Sequence, residues 1–206
     1  MEKTKTQLLP DLESFRSTLD FSSIAEDRLS VLGILIDYIQ DRKTKGEKIN
    51  LNFICTHNSR RSQFSQIWAK TAAAYYGIDI SSFSGGVEVT AFNERAVASI
   101  KRTGFKVIQE GEGNPRYFTF YAESEEPLVV YSKIYDDVAN APTNFAAVMT
   151  CNHADQNCPY IPGARRIALK YDDPKAFDNT PQEAEKYDER SRQIATELFY
   201  VFSKVV

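Results

Sequence analysis

Cysteine is scarce in this chain, which carries three among 206 residues, too few for a secreted domain of this length held together by disulfides. No stretch of eighteen apolar residues is present, so no transmembrane helix is expected, and Met1–Lys5 lacks the apolar core of a signal peptide. The net charge is −3, which gives no excess of positive charge for nucleic acid or acidic membranes. We therefore expect a soluble cytoplasmic protein without a nucleic-acid or membrane partner.

Strand-like and helix-like patterns alternate after about residue 48, as a parallel sheet with helices on both faces requires. The chain is long enough for one such α/β domain with additions. We predict that residues 48–206 form this domain and that a β-hairpin is inserted at about residues 114–132. Residues 1–47 are predicted to form an N-terminal arm and a helix packed on the domain.

The N-terminal part combines a polar segment with one helical pattern. Residues 1–21 are mixed and polar, as expected for a loosely packed arm. Ser23 and Glu26 have the spacing of a capping box, and the helix should end near Gly46. The apolar positions at helical spacing are Leu29, Leu32, Leu35, Ile36 and Ile39. A helix that covers the core explains this stripe, and a partner-binding or dimerising helix is the alternative.

The other elements are predicted from hydrophobic periodicity. Strands are expected at residues 49–54, 79–84, 105–107, 145–150 and 166–169, and helices from residue 62, at 91–103, at 134–139 and from a cap at 180–183. The last helix should bury one stripe, namely Tyr187, Ser191, Ile194, Leu198 and Phe202. Residues 116–121 and 128–131 are β-rich runs joined by a charged turn, which predicts a hairpin. The hairpin is either a plain edge element or a substrate-facing flap.

The most informative stretch runs from an apolar strand into Cys55, then reaches Arg61 and Ser62, where a helical pattern begins. A loop between a strand and a helix N-terminus turns backbone N–H groups inward and adds partial positive charge, so it can hold a tetrahedral oxyanion. We predict that this loop binds the anion through Thr56, His57, Asn58, Ser59, Arg60 and Arg61.

The same loop suggests nucleophilic chemistry. Its field favours a thiolate over a thiol, so Cys55 is a candidate nucleophile. Arg61 offers a planar fork for two oxyanion oxygens, and the Ser62 hydroxyl can donate to the sulfur. A buried core cysteine beside a surface arginine is the alternative, because this spacing also arises by chance.

A second predicted strand, residues 145–150, also ends on a cysteine, Cys151. Ligands of parallel sheets bind outside the carboxyl ends of the strands, so Cys55 and Cys151 can face one another. Six residues separate Cys151 from Cys158, which is too many for a Cys-x-x-Cys redox motif or a zinc knuckle. A metal site from Cys151, His153 and Cys158 lacks a fourth ligand, so no metal is predicted. Two incidental cysteines are the remaining alternative. The Asn, Asp and Gln content of the residues between Cys151 and Cys158 predicts a mobile polar loop.

An acid is expected at Asp173, which precedes Pro174. The residue before a proline is held extended, and this conformation can aim the Asp173 carboxyl back at the anion-binding loop. A simple turn aspartate is the alternative interpretation.

The run from Cys55 to Ser62 resembles the phosphate-binding loop of the low-molecular-weight protein tyrosine phosphatases and of the thioredoxin-coupled arsenate reductases of the same fold. The resemblance covers about residues 48–204 and implies a three-layer fold with a central four-stranded parallel sheet. It also implies that Asp173 protonates the leaving oxygen and that Cys151 and Cys158 are redox thiols. Two positions depart from the pattern, with His57 in place of a usual glycine and Arg60 in place of a frequent second cysteine.

The resemblance therefore implies reduction of arsenate to arsenite through a Cys55 adduct and a disulfide cascade over Cys151 and Cys158. No bound cofactor is expected, because an external dithiol such as thioredoxin would supply the electrons. One alternative is a phosphomonoester or protein-tyrosine phosphatase that uses Cys55, Arg61 and Asp173. Another is a non-catalytic sensor of oxyanions or arsenite that uses the same thiols.

Overall fold

The computed structural model describes residues 4–141, 143–158 and 160–206. The helices are α1 (Pro10–Ser17), α2 (Glu26–Thr44), α3 (Arg61–Tyr76), α4 (Glu94–Thr103), α5 (Asn152–Asn157) and α6 (Glu183–Ser203). The strands are β1 (Asn50–Cys55), β2 (Ser81–Gly86), β3 (Lys106–Glu110), β4 (Arg116–Phe120), β5 (Leu128–Val130), β6 (Phe145–Met149) and β7 (Ala164–Ile167).

The main sheet has four parallel strands in the order β2-β1-β6-β7, which confirms the predicted three-layer α/β fold. Its two middle strands are buried on both faces, as expected when layers cover both sides. Alternate residues of β1 point to opposite faces, so Phe53 joins the larger apolar cluster with α3 and α6. Ile54 belongs to a smaller cluster on the other side, which α5 helps to cover, and Cys55 joins this cluster from the end of the strand.

The two β-rich runs pair as antiparallel strands β4 and β5, and β3 joins them to form a second, three-stranded sheet. A strand was predicted at residues 105–107, and β3 is found there. It belongs to the second sheet, however, and not to the parallel sheet that contains β2. Most residues of β3 are exposed, and this pattern is incompatible with the buried interior of a parallel sheet. The edge position of β3 follows from its exposure.

The N-terminal segment is better packed than predicted. Met1–Lys3, the first residues of the predicted arm, lie outside the described residues. The arm contains α1, which begins with Pro10 at its first helical position, and buries Leu8, Leu9 and Leu12. These three leucines pack into the larger cluster, so the expectation of a loosely packed arm was wrong.

Helix α2 is present, but the predicted capping box at its start is not. The helix begins at Glu26 after Ala25, whose side chain cannot cap it, and Ser23 lies in a preceding 3-10 turn. This turn is held by Asp20, whose carboxylate accepts from the Ser22 N–H at 2.9 Å. The hydrogen bonds of Asp20 therefore hold Ser22 and Ser23 in the 3-10 turn, and Ser23 does not cap α2.

The remaining helix predictions concern residues 134–139, helix α6 and the expected absence of a transmembrane helix. Residues 134–139 form no helix, and Ile134 makes an isolated parallel bridge with Gly86. Helix α6 follows Gln182 without the predicted side-chain cap, yet its predicted stripe is buried and so confirmed. Among the described residues, no helix combines the length and hydropathy that crossing a membrane requires.

Candidate functional site

The loop that connects β1 to α3, residues 55–62, is here called the anion loop. Each carbonyl oxygen of residues 55–60 accepts a hydrogen bond from the surrounding structure. The donors, in order, are Val87 N–H, Glu88 N–H, the Ser132 hydroxyl (with Thr90), the Gln63 amide, Asn93 N–H and Phe64 N–H. In a trans peptide the N–H of the next residue points away from the carbonyl, so outward carbonyls place the N–H groups of residues 56–61 on the inner side.

Within the described part of the chain, none of these six N–H groups donates to a protein acceptor. Asn58 is fully buried and Ser59 is 7% exposed, so these two residues are shielded from bulk water, whereas the other four are partly exposed. Buried N–H groups without an acceptor are rare in proteins. Together with the N-terminus of α3, they form a cradle that can bind a tetrahedral oxyanion.

Asn58 fixes the shape of the anion loop and the direction of one hydroxyl. Its backbone is in the left-handed region with φ of 46°, which asparagine tolerates better than most residues. Its Oδ1 accepts from the Lys133 N–H at 2.9 Å, so its Nδ2 faces Ser62 and donates to the hydroxyl at 2.8 Å. The Ser62 hydroxyl then keeps its own proton for Cys55, whose Sγ is 3.0 Å away. This arrangement suits a thiolate at Cys55.

Gly86 at the end of β2 lets the anion loop lie against the sheet. A Cβ at this position would be 2.4 Å from the Glu88 carbonyl oxygen and 2.8 Å from the Asn58 nitrogen. Gly85 and Gly86 both belong to β2, which extends two residues beyond the strand predicted at residues 79–84. Gly86 must be small because the strand and the anion loop approach each other closely, and Gly85 must be small because the Tyr135 backbone lies against it.

Arg61 and Asp173 are brought together. The Arg61 Nη2 donates to Asp173 Oδ2 at 2.7 Å, and its Nη1 donates to the Tyr171 carbonyl at 3.2 Å. The Nε of Arg61 is buried and has no hydrogen-bond partner among the described residues. Asp173 also accepts from the Lys175 N–H at 3.1 Å, which orients its carboxyl group. Arg61 therefore keeps a donor for an anion while it holds the candidate acid.

The side chains of Arg60 and His57 contact other protein groups, and Arg60 Nε also lies 3.9 Å from Asp173 Oδ1. Arg60 Nε donates to the Tyr187 hydroxyl at 2.9 Å, and this hydroxyl donates to Asp178 at 2.8 Å. Burial, with the Asp178 contact, raises the pKa of Tyr187 to about 12, so the hydroxyl remains protonated. His57 is 3.3 Å from Glu88 on the exposed side of the loop. The side chains of Arg60 and His57 are thus engaged by other protein groups. Their backbone N–H groups remain available for the predicted anion contacts.

All three cysteines are free thiols and belong to one small apolar cluster. Cys151 follows β6, the neighbour of β1, and its Sγ is 3.5 Å from the Thr56 hydroxyl in the anion loop. Cys158 is 5% exposed, and burial raises the pKa of its thiol. The structure therefore brings the two strand-end cysteines together, as expected from the parallel sheet.

The residues between Cys151 and Cys158 form helix α5, whereas a mobile polar loop was predicted. Cys151 itself caps this helix, because its Sγ accepts from the Ala154 N–H at 3.3 Å. Arg166 bonds the Cys158 carbonyl at 3.2 Å and also contacts Asp155. The polar residues predicted to be loop are thus ordered by a sulfur cap and a cationic side chain.

A cavity of about 440 Å³ opens onto this arrangement. Its lining includes Arg61, Cys151, His153, Tyr171 and Asp173. Cys55 lies below the surface and is 2% exposed. Access to Cys55 is therefore suited to a small anion.

Several residues that shape the site were not found from the sequence. Ser132 and Gln63 bind carbonyls of the anion loop, and the Lys133 N–H orients Asn58. Tyr171 and Arg28 lie at the far side of Arg61. These residues come from distant parts of the chain, and a polar glutamine on the buried face of α3 was the sole local signal.

No protein-family model matches this chain. An arsenate reductase of Brevibacillus brevis is 29% identical over 128 residues, which are 62% of this chain and 78% of that protein. Among solved structures, a YwlE mutant of Bacillus subtilis aligns with a TM-score of 0.49 and 14% identity, over 76% of this chain and 97% of that chain. A thioredoxin-dependent arsenate reductase of Corynebacterium glutamicum aligns with a TM-score of 0.41 and 18% identity, over 94% of this chain and 82% of that chain.

Proposed function

We propose that this protein is a cytoplasmic arsenate reductase that acts through an adduct on Cys55 and a disulfide cascade over Cys151 and Cys158. One observation carries the proposal: the three cysteines of the chain share one cluster beside a loop of convergent N–H groups. Hydrolysis of a phosphoester through a covalent intermediate needs one such thiol, whereas a two-electron reduction needs a second thiol within reach. The sequence similarity to a curated arsenate reductase supports the same assignment.

In the first step, arsenate binds the N–H groups of residues 56–61 and the Arg61 guanidinium, which balances its charge. The Cys55 thiolate attacks arsenic and forms a sulfur–arsenic(V) bond. One arsenic–oxygen bond breaks, and the oxygen leaves as water after Asp173 has supplied a proton. The Ser62 hydroxyl stabilises the thiolate before the attack.

In the second step, the Cys151 thiolate attacks the Cys55 sulfur. The sulfur–arsenic bond breaks and its electron pair stays on arsenic, which is released as arsenite, while the two sulfurs become a disulfide. Cys158 then attacks the Cys151 sulfur, frees the Cys55 thiolate and leaves a Cys151–Cys158 disulfide. An external dithiol such as thioredoxin reduces this bond, so the proposed cycle uses no bound cofactor.

Helix α5 gives a physical reason for the cascade to move outward. The Cys151 sulfur caps the helix through the Ala154 N–H, and a sulfur in a disulfide is a poorer acceptor than a thiolate. A helix of six residues has little stability of its own. We expect formation of the Cys55–Cys151 bond to loosen α5 and to carry Cys158 from its buried position towards Cys151.

Phosphomonoester hydrolysis with Cys55, Arg61 and Asp173 is the second candidate, favoured by the 2.7 Å contact between Arg61 and Asp173. Two features favour a small inorganic oxyanion instead. Cys55 is nearly inaccessible, and Cys151 contacts Thr56 next to it, where an aryl or peptide ester would need space. An oxyanion or arsenite sensor would use the same thiols without turnover.

The proposal is tested by measuring arsenate reduction with a thioredoxin system and hydrolysis of an aryl phosphate. A reductase requires that Cys151→Ser abolish multiple-turnover reduction and spare any phosphatase activity. If both activities survive in Cys151→Ser, the redox assignment is wrong. Hydrolysis that is lost in Cys55→Ser alone selects the phosphatase, and the absence of both activities in the wild type selects the sensor.

A further inference from the structure

Helix α2 contributes an arginine to a buried network next to the candidate site. The Arg28 guanidinium donates two hydrogen bonds to the Glu197 carboxylate of α6, from Nε to Oε1 at 2.9 Å and from Nη2 to Oε2 at 2.6 Å. Its Nη1 donates to the Lys170 carbonyl at 2.9 Å. Three contacts from one planar fork fix the guanidinium in one orientation, which a lysine cannot reproduce.

Glu197 is 2% exposed, and its carboxylate accepts four hydrogen bonds. Besides the two from Arg28, one comes from the Tyr171 hydroxyl at 2.8 Å and one from the Gln193 amide at 3.1 Å. Burial and the charge of Glu197 raise the pKa of Tyr171 well above its usual value, so its hydroxyl remains a donor. The buried carboxylate is fully paired, and the pairing depends on Arg28.

Tyr171 connects this network to Arg61. The Arg28 guanidinium carbon lies 4.9 Å from the centre of the Tyr171 ring, while Glu197 holds the hydroxyl. The carbonyl of the same residue accepts from Arg61 Nη1 at 3.2 Å. Two residues further along, Asp173 accepts from Arg61 Nη2 at 2.7 Å. A shift of Tyr171 would therefore move both partners of the Arg61 guanidinium.

We propose that Arg28 is a positioning residue for the candidate site, because it holds Tyr171, which in turn orients Arg61 and the backbone leading to Asp173. The inference rests on the proposed function for the identity of the anion that Arg61 binds. Helix α2 precedes residue 48, where the sequence resemblance to the phosphatases and reductases begins. The N-terminal helix is thus a component of the site as well as a cover for the core.

Arg28→Lys tests this inference without leaving Glu197 uncompensated, since it keeps the positive charge and removes the two-pronged contact. Arg42→Lys is the matched control, because Arg42 also lies in α2 and its side chain has the same 19% exposure. Arg42 pairs with Glu47 and bonds the Asn144 carbonyl, at the amino ends of β1 and β6, opposite the anion loop.

Two readouts are made on the full chain. The first is the NMR signal of the Arg61 Nε–H, which reports the orientation of the guanidinium and needs no ligand. The second is the arsenate concentration that half-protects Cys55 from iodoacetamide, with Cys151→Ser and Cys158→Ser as the background. Arg28→Lys should move the Arg61 signal and raise this concentration about tenfold, the effect of roughly one lost charge-assisted hydrogen bond. Arg42→Lys should change neither.

An unchanged Arg61 signal in Arg28→Lys overturns the inference and leaves the proposed function intact. So does unchanged protection in Arg28→Lys, provided that arsenate protects Cys55 when Arg28 is present. An equal shift of the Arg61 signal in Arg42→Lys also overturns it, because the effect would then reflect general loosening of α2. If arsenate fails to protect Cys55 even with Arg28 present, while Arg28→Lys still moves the Arg61 signal, the proposed function is wrong and the positioning role stands.

Discussion

The anion loop and the segment from Cys151 to Cys158 each follow a central strand of the main sheet, but they are held in opposite ways. In the loop, every carbonyl from residue 55 to 60 is bonded, and Asn58 is tied to Lys133 and Ser62. The second segment is a helix of six residues whose cap is the sulfur of Cys151. We infer a fixed half that binds the anion and a movable half that transfers the electrons.

The largest difference between the two halves is expected when one thiol is removed from each and the rate of the first turnover is compared. Cys55→Ser should slow the first turnover of arsenate at least about 10⁴-fold, because a neutral hydroxyl is a far weaker nucleophile. Cys158→Ser should form arsenite at the wild-type rate in the first turnover and then stop. Rapid-quench measurement of arsenite distinguishes the two, and equal losses in the first turnover would contradict the division into halves.

Substitution of the two adjacent arginines of the anion loop should have different effects on kcat/KM. Arg61→Lys should lower kcat/KM for arsenate about 10²- to 10³-fold, since lysine has no counterpart of the Nε donor that Arg61 keeps for the anion while its Nη groups hold Asp173 and the Tyr171 carbonyl. Arg60→Lys should mainly lower thermal stability, because Arg60 bonds Tyr187 rather than the loop centre. Steady-state kinetics and thermal unfolding on both variants test this, and comparable losses of kcat/KM would show that the Arg60 side chain also binds the anion.

The movable half should carry a pH dependence set by the Cys158 thiol. Burial raises the pKa of the Cys158 thiol, so the reactive thiolate is a small fraction near neutral pH and grows as pH rises. The transfer of the disulfide from Cys55–Cys151 to Cys151–Cys158 should accelerate about tenfold per pH unit between about pH 7 and about pH 9. Acid-quenched peptide mapping follows the two disulfides, and a transfer rate independent of pH would exclude thiolate formation at Cys158 as the limiting event.

The fixed half should be sensitive to a single methyl group. Gly86→Ala should lower the free energy of unfolding by about 1–3 kcal/mol, because the new Cβ would collide with the backbone of Glu88 and Asn58. Gly33→Ala in α2 is the control, since its Cβ would meet nothing within 4 Å and alanine favours a helix by up to about 1 kcal/mol. Urea unfolding measures both, and a neutral Gly86→Ala would mean that the loop can retreat from β2.

The sequence predicted those parts of the site whose positions follow from neighbouring residues, such as the end of a strand or a following proline. Cys55 and Cys151 could be placed together because both end parallel strands, and Asp173 stood out because it precedes a proline. Arg28 could not be assigned, because its contacts with Glu197 and Lys170 are set by how α2 packs across α6. Helix α5 was missed because the cap that orders it is a cysteine sulfur, which no capping rule anticipates.

The most direct measurement is the disulfide formed when Cys158→Ser protein reacts with one equivalent of arsenate. After acid quenching and alkylation, peptide mass spectrometry should find Cys55 joined to Cys151, with one arsenite released per chain. Arsenite released without this bond, or a Cys55–Cys151 bond that forms equally well without arsenate, would contradict the cascade on which the account rests.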